Sequence, residues 1–362
     1  MCLEGQEERL LSRSGTLEPL SEADIAARLA EARVNTGEKW EVERERWSLG
    51  GQQSKFALRL EKGRWYSCGG SAATTHILKP GISGLRLEAL NEFISLKLAS
   101  ACGTPASRVE YHLFGSEPAI VVERYDRVRD EDGNVVRLHQ EDLCQALGVL
   151  PQNKYTQDGG PSAGDIVGLL RKTGTPSRAN LETFVKMLLF NYLIAAPDAH
   201  AKNYSVLIDR GAAYLAPLFD VASMLPYTSR QDGIRLAMGI AGENRVAMLS
   251  RRSLSKFVED NDLEECGLGG DDLADILANL AARIPAKLEM IVDGLSRIPG
   301  AIELGERLVP SVSRLCSQSI ARLWRASYSM AVAIDRDARR LWTGKVHRSE
   351  DLARSYLSTR GR

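Results

Sequence analysis

The sequence predicts an α+β chain folded as two lobes, a small β-rich lobe followed by a mostly helical one. Three observations carry that expectation. Strand-forming runs dominate before residue 125, with one helix among them; apolar residues recur at helical spacing through most of the chain after residue 140; and Ala119-Ile-Val-Val-Glu-Arg-Tyr-Asp126, an apolar run that turns polar, marks the crossing between the two. The lobe boundary therefore falls near Asp126. The chain divides into an N-terminal helical segment (1–39), the small lobe (40–125), the helical lobe (126–324) and a basic helical tail (325–362). Its 362 residues, 44% of them hydrophobic, suffice for one large or two moderate cores.

The first element is a helix starting within residues 18–27, with Ser21 as its cap. In Ser48-Leu-Gly-Gly-Gln-Gln-Ser-Lys55, Gly50 and Gly51 precede an alternating strand, so backbone N–H groups there can approach an anion without Cβ obstruction; Gly-Gly before a strand also makes an ordinary turn. His76-Ile-Leu-Lys-Pro80 reads as a strand carrying Lys79, and residues 87–99 as a helix carrying Glu88 and Glu92. Gly133-Asn134 marks a hairpin tip and Asp158-Gly-Gly-Pro161 an irregular loop. Helices are expected over 140–147, 163–172, 181–195, 252–260 and 271–284, over 286–292 after a break at Pro285, and in the tail. In the 181–195 helix Phe184, Met187, Leu188, Asn191 and Ile194 fall at helical spacing, and Pro197 ends it.

The chemistry follows that helix. Asp198-Ala-His-Ala-Lys-Asn203 sets an asparagine five positions after an aspartate; Tyr204-Ser-Val-Leu-Ile208, the turn Asp209-Arg-Gly211 and the returning run 213–219 form a hairpin; and Asp220 follows. A base, a metal ligand and a second metal ligand in that order suit phosphoryl transfer, and make the two lobes a protein-kinase-like fold with the nucleotide site between them. Asp198 is the candidate base, and Asn203 and Asp220 are the candidate magnesium ligands. His200 orients Asp198 or braces the loop; Lys202 neutralises a phosphate or makes a structural hydrogen bond. Upstream, the Gly50–Gly51 loop with Gln52 and Lys55 offers a phosphate cover, although it is not a Walker A loop. Lys79 is placed to pair with ATP phosphates, Glu92 or Glu88 to fix it, with Glu92 preferred, and Glu123, Arg124 and Tyr125 to meet adenine.

These residues resemble the HipA family of bacterial toxin kinases. The likeness runs through residues 48–55, 74–80, 121–127 and 140–145, Lys154-Tyr155, Asp158-Gly-Gly-Pro161, Asp198-Ala-His-Ala-Lys-Asn203 and Phe219-Asp-Val221, and spans residues from about 21 to about 320. The resemblance implies a serine/threonine protein kinase that acts as the toxin of a type II toxin–antitoxin pair. It further implies growth arrest and persistence through phosphorylation of an aminoacyl-tRNA synthetase, a DNA-binding antitoxin as partner, and autophosphorylation at Ser48. ATP and Mg2+ would be its cofactors. Two departures stand out: Ser54 occupies a position usually acidic in the family, and only 47 residues precede Ser48, as expected of a short form lacking most of the family's N-terminal subdomain.

Composition bounds the remaining classes. With 47 Lys and Arg against 47 Asp and Glu, the chain has no global electrostatic footprint for direct nucleic-acid binding, so DNA association would be borrowed from a partner. The basic residues from Ser319 to Arg348 suit an acidic partner or a solvated helix. Six scattered cysteines form neither a zinc pattern nor a disulfide framework, as in a reducing cytoplasm. No run has a signal-peptide layout, and the apolar stretch 184–197 is too short to span a membrane. Two other readings share part of the pattern: a small-molecule kinase of the aminoglycoside or choline type, and a nucleotide-binding module without catalysis.

Phosphorylation of Ser48 should silence the enzyme by ejecting the Gly50–Gly51 loop, since it sets about −1.5 to −2 charges beside a phosphate-binding backbone. A Ser48-phosphorylated preparation should bind ATP far more weakly than Ser48→Ala; equal affinities by calorimetry would end this expectation.

Overall fold

The computed structural model describes residues 14–34, 54–82, 84–174, 177–230 and 233–338, and Ser48, Gly50, Gly51 and Gln52 lie outside them. The chain opens with strand β1 (Gly15–Leu20) and helix α1 (Glu22–Val34). Strands β2 (Phe56–Glu61), β3 (Arg64–Gly70) and β4 (His76–Lys79), helix α2 (Glu88–Ala101), and strands β5 (Val109–Phe114) and β6 (Glu117–Glu123) complete the small lobe. Its six strands form an antiparallel sheet in the order β1-β3-β2-β4-β6-β5.

Strand alternation decides the layering, because successive side chains leave opposite faces of a sheet. Phe56, Leu58, Leu78, Ala119 and Val121 are buried on one face against Ile25 and Leu29 of α1. Ile120 and Val122, from the intervening positions of β6, join the core that contains Leu90, Phe93 and Ile94 of α2. The sheet is therefore covered by a helix on each side. This corrects the expected division at residue 39: residues 15–34 are an edge strand and a covering helix of the small lobe. The exposed residues of β1 carry no alternation to read; its place comes from backbone pairing with β3, from Gly15 opposite Gly70 to Leu20 opposite Trp65. Gly15 is required there, since a Cβ would come within 2.6 Å of the Ala72 amide nitrogen.

Beyond Glu123 the chain forms the hairpin of β7 (Arg127–Arg129) and β8 (Val135–Arg137), then β9 (His139–Asp142) and the short helix α3 (Leu143–Ala146). The 140–147 run is thus half strand: Asp142 ends β9 and caps α3, its carboxylate accepting from the Gln145 amide at 2.9 Å. Helices α4 (Ala163–Leu170) and α5 (Ser177–Leu193) precede the hairpin of β10 (Ser205–Asp209) and β11 (Ala212–Leu215), which pairs with β9 in a three-stranded sheet. A second hairpin, β12 (Arg235–Ile240) and β13 (Glu243–Arg245), was not foreseen; it leads to α6 (Arg251–Asp260), α7 (Gly270–Gly294) and α8 (Ala301–Ala338). Helix α7 runs unbroken through Pro285, contrary to the expected break. Leu280, Ala281, Ile284 and Leu288 on either side are buried, and that packing outweighs the roughly 3 kcal/mol a proline costs a helix interior.

The large-lobe core is continuous with α2, which packs on α7, so the two lobes share one apolar cluster. Five cysteines among the described residues are free, and no described helix is long and apolar enough to cross a membrane.

Leu29 is fully buried beneath the sheet. Leu29→Ala should destabilise the protein by about 2–5 kcal/mol in denaturant titration. A loss under about 1 kcal/mol would show that α1 is not an integral layer of the lobe.

Candidate active site

Lys79 closes β4, opposite Ile120 of β6, and the alternation that sends Leu78 into the outer core turns Lys79 toward α2. Its buried ammonium donates to Glu92 Oε1 at 2.6 Å and to Asp220 Oδ1 at 2.9 Å. Burial alone would lower the Lys79 pKa, but Asp220 and Glu92 hold the ammonium charged, well above the usual lysine range. Burial works against Asp220 too, and Lys79 and Lys55 together keep its carboxyl well below the usual carboxylate range. Lys55 Nζ stands 3.9 Å from Asp220 Oδ2. Glu88, one turn before Glu92, accepts through Oε2 from the Ile82 amide at 3.1 Å, and burial and then the charge of Glu92 push its pKa up to about 8.

Asp220 adopts a left-handed backbone (φ 60°), which aspartate tolerates better than most residues. The chain just after it is tied down by two buried residues that sequence reasoning missed. Ser223 Oγ donates to the Ile194 carbonyl at 2.5 Å, and Asn91 Nδ2, from α2, donates to the Ser223 carbonyl at 2.7 Å. The available signal was an asparagine between Leu90 and Glu92 on the apolar helix α2.

Helix α5 ends in a left-handed Ala195, with the Ala196 amide returning to the Asn191 carbonyl at 2.9 Å. The loop beyond it folds on itself: the Asp198 carbonyl accepts from the His200 amide at 2.8 Å and from Asn203 Nδ2 at 2.7 Å. With Nδ2 so used, the ligand-competent atom of Asn203 is Oδ1. The Asp198 carboxylate, 61% exposed, accepts from the Tyr155 hydroxyl at 3.0 Å through Oδ1. His200 is buried, which lowers its pKa. Its Nε2 lies 3.7 Å from Asp198 Oδ1, beyond hydrogen-bond reach, and its ring meets that of Tyr155 edge-on at 5.0 Å. Lys202 Nζ donates to Asp142 Oδ2 at 2.6 Å; of its two readings the geometry favours the structural one, a brace between the loop and the α3 cap.

At the crossing between lobes the Glu123 amide donates to the Arg108 carbonyl and the Arg124 amide to the Thr75 carbonyl, both at 2.9 Å. The Arg124 guanidinium is bidentate to Asp126 at 3.0 and 2.8 Å, so its side chain stiffens the crossing rather than reaching for a base. Tyr125 stacks near Phe219, with ring centroids 5.8 Å apart. Lys55, Lys79, Glu123, Asp198, Asn203 and Asp220 all line one cleft of about 680 Å3.

The oxygen donors fit magnesium. Asp220 supplies a carboxylate and Asn203 an amide oxygen on the same cleft. This ion is commonly held by one or two side chains, with substrate phosphates and water completing its shell. Among the described residues no group of three or more His, Cys, Asp and Glu side chains forms a self-sufficient cage.

The HipA-like C-terminal domain family model matches residues 47–288. Y4mE of Sinorhizobium fredii is 40% identical over 194 residues, covering 54% of this chain and 46% of that protein. The serine/threonine-protein kinase toxin HipA of Shewanella oneidensis is 28% identical over 289 residues, covering 76% of this chain and 64% of that protein. The chain thus spans less than two thirds of the length of these curated relatives. The solved structure of Shewanella oneidensis HipA with HipB and operator DNA superposes with a TM-score of 0.71 at 25% identity, covering 84% of this chain and 72% of that one.

An acid whose folded pKa lies above its unfolded value binds more protons folded than unfolded, so the Glu88 term costs stability increasingly as pH rises from about 4.5 to about 8. Glu88→Gln keeps an acceptor for the Ile82 amide and removes the titration. Its stability relative to wild type should climb across that window by up to about 1 kcal/mol per pH unit, read from denaturant midpoints. A difference that stays flat with pH would contradict the assignment.

Proposed function

The chain belongs to the HipA-like C-terminal domain family, and on that premise we propose that it is an ATP- and magnesium-dependent serine/threonine protein kinase. One observation carries the reading: the buried Lys79 ammonium is shared by a small-lobe glutamate and a large-lobe aspartate at the cleft that Asp198 and Asn203 also line. That arrangement suits a substrate whose charge lies in its phosphates.

In this reading the adenine lies between Ile77 and Val122 of the small lobe and Leu218 of the large lobe, apolar residues of the cleft near Tyr125. Lys79 offsets negative charge on the phosphates, and Lys55 stands ready to add to it. Asn203 and Asp220 would hold magnesium, which when bound would supply neutralisation of phosphate charge. Asp198 accepts the proton of the substrate hydroxyl as that oxygen bonds to the γ-phosphorus. The bond from phosphorus to the ADP oxygen breaks and ADP leaves with the electron pair. The protein's part is positioning and electrostatics, arranged in advance by the hydrogen bonds around Asp198 and Asp220.

We assign the chain the toxin role of a type II toxin–antitoxin pair, acting in the cytoplasm, with an aminoacyl-tRNA synthetase as protein substrate and Ser48 as the autophosphorylated residue. The family resemblance supports all four assignments. A DNA-binding antitoxin is the expected partner, as the solved Shewanella oneidensis HipA assembly with HipB and operator DNA suggests. The balanced charge, 47 basic against 47 acidic residues, is consistent with DNA contact made through that partner.

Incubation with labelled ATP and magnesium should place label on Ser48 or on a protein acceptor rather than on a small molecule. Asp198→Ala and Asp220→Ala should keep the circular dichroism of the folded protein and lose transfer by about a hundredfold or more. Wild-type rates in either variant would refute the assignment.

A further inference from the structure

Lys154-Tyr155 and Asp158-Gly-Gly-Pro161 belong to one loop, and that loop reaches the catalytic cleft. Its shape is built on the Tyr155 carbonyl, which accepts from the Asp158 amide at 3.0 Å and the Gly160 amide at 2.9 Å. Gly159 takes a left-handed backbone (φ 81°). At Gly160 a Cβ would fall 2.0 Å from the Asn153 carbonyl oxygen and 2.7 Å from that of Tyr155, so no other residue fits without moving the loop. Thr156 Oγ1 donates to the Pro161 carbonyl at 2.8 Å and closes the turn. The two glycines therefore present the side chain of Tyr155 in one place. Its ring contacts that of His200 in a T-shaped pair, with centroids 5.0 Å apart, and the Lys154 ammonium, 4.9 Å from the centroid. Its hydroxyl ends 3.0 Å from Asp198 Oδ1.

The Asp198 side chain needs such a hold. It is 61% exposed on a loop, and a carboxylate left to rotate would seldom face a substrate hydroxyl in line with the nucleotide. Tyr155 and His200 both approach the same oxygen, Oδ1, at 3.0 and 3.7 Å. Burial and the Asp198 charge push the Tyr155 pKa up to about 12, so the phenol remains a donor at neutral pH.

We propose that Tyr155 is a positioning residue: presented by the Asp158-Gly-Gly-Pro161 loop, it pins Asp198 through Oδ1 and leaves Oδ2 to take the proton of the substrate hydroxyl. The inference rests on the kinase reading and deepens it. It gives a purpose to a glycine pair that phosphate binding and metal binding do not use. The opposing arrangement, in which the phenol occupies the place of the acceptor hydroxyl and blocks the base, predicts the opposite sign on removal.

Tyr155→Phe keeps both ring contacts and deletes only the donor, so the fold is undisturbed. With wild type as reference, kcat for transfer to protein should fall about tenfold while the KM for ATP stays unchanged, because the residue touches the base and not the nucleotide pocket. Gly160→Ala should lower kcat in the same way by displacing the loop, and the double variant should be no slower than the slower single one, since both act through one contact. A Tyr155→Phe enzyme as fast as wild type, or faster, overturns the proposal while leaving the kinase reading intact. A wild-type protein that transfers no phosphate to any acceptor overturns both.

Discussion

The architecture turns on one buried cation. Taking an ammonium out of water costs several kcal/mol, and the cost is recovered only where carboxylates meet it at close range. Lys79 satisfies that condition with two partners that come from different lobes, Glu92 at 2.6 Å and Asp220 at 2.9 Å. Removing both carboxylates would leave the buried ammonium uncompensated. The strand that carries Lys79, the helix that carries Glu92 and the large-lobe segment that carries Asp220 are therefore fixed relative to one another by the same group that would meet phosphate. Under the proposed function, stability and activity draw here on a single electrostatic constraint.

Around that centre the chain holds its loops with hydrogen bonds and one lysine–carboxylate ion pair. Asn91 reaches from α2 to the Ser223 carbonyl, and Ser223 reaches to the end of α5. The segment after Asp220 is thereby linked both to the helix bearing Glu92 and to the helix that leads into Asp198. Lys202 and Asp142 tie the Asp198 loop to the start of α3, while Asn203 folds the same loop onto the Asp198 carbonyl. These bonds cost no reorganisation when substrate arrives, which is the form of preorganisation that phosphoryl transfer can use.

Much of the candidate site was legible because its order is written along the chain. Asp198, Asn203 and Asp220 lie close in sequence, and the strand-forming runs between Asn203 and Asp220 announce a hairpin. Glu92 and Glu88 stand one turn apart, and a helical period alone does not choose between them. The choice came from the way the sheet orients α2, which points Glu92 at Lys79 and Glu88 at the Ile82 amide. Lys202 had two readings for the same reason, since a lysine reaches phosphate or carboxylate equally well until Asp142 is seen beside it. Tyr155 lies 43 residues from Asp198, in a loop whose glycines read only as irregular. At that separation no local pattern reports the contact.

By itself, then, the sequence determined the two-lobed α+β plan, the strand bearing Lys79 and the Asp198-to-Asp220 order, because periodicity and short spacings are local properties. It misread what long-range contacts decide. Strand β1 joins the sheet by backbone pairing without an alternating face, α7 passes through Pro285 because buried neighbours outweigh a missing amide, and residues 140–142 become strand because β10 lies beside them. Only the tertiary structure decided which glutamate holds Lys79, which lysine serves as a brace and which tyrosine meets Asp198. Each of those outcomes depends on the direction of a side chain across a fold, and direction is fixed by what packs behind it.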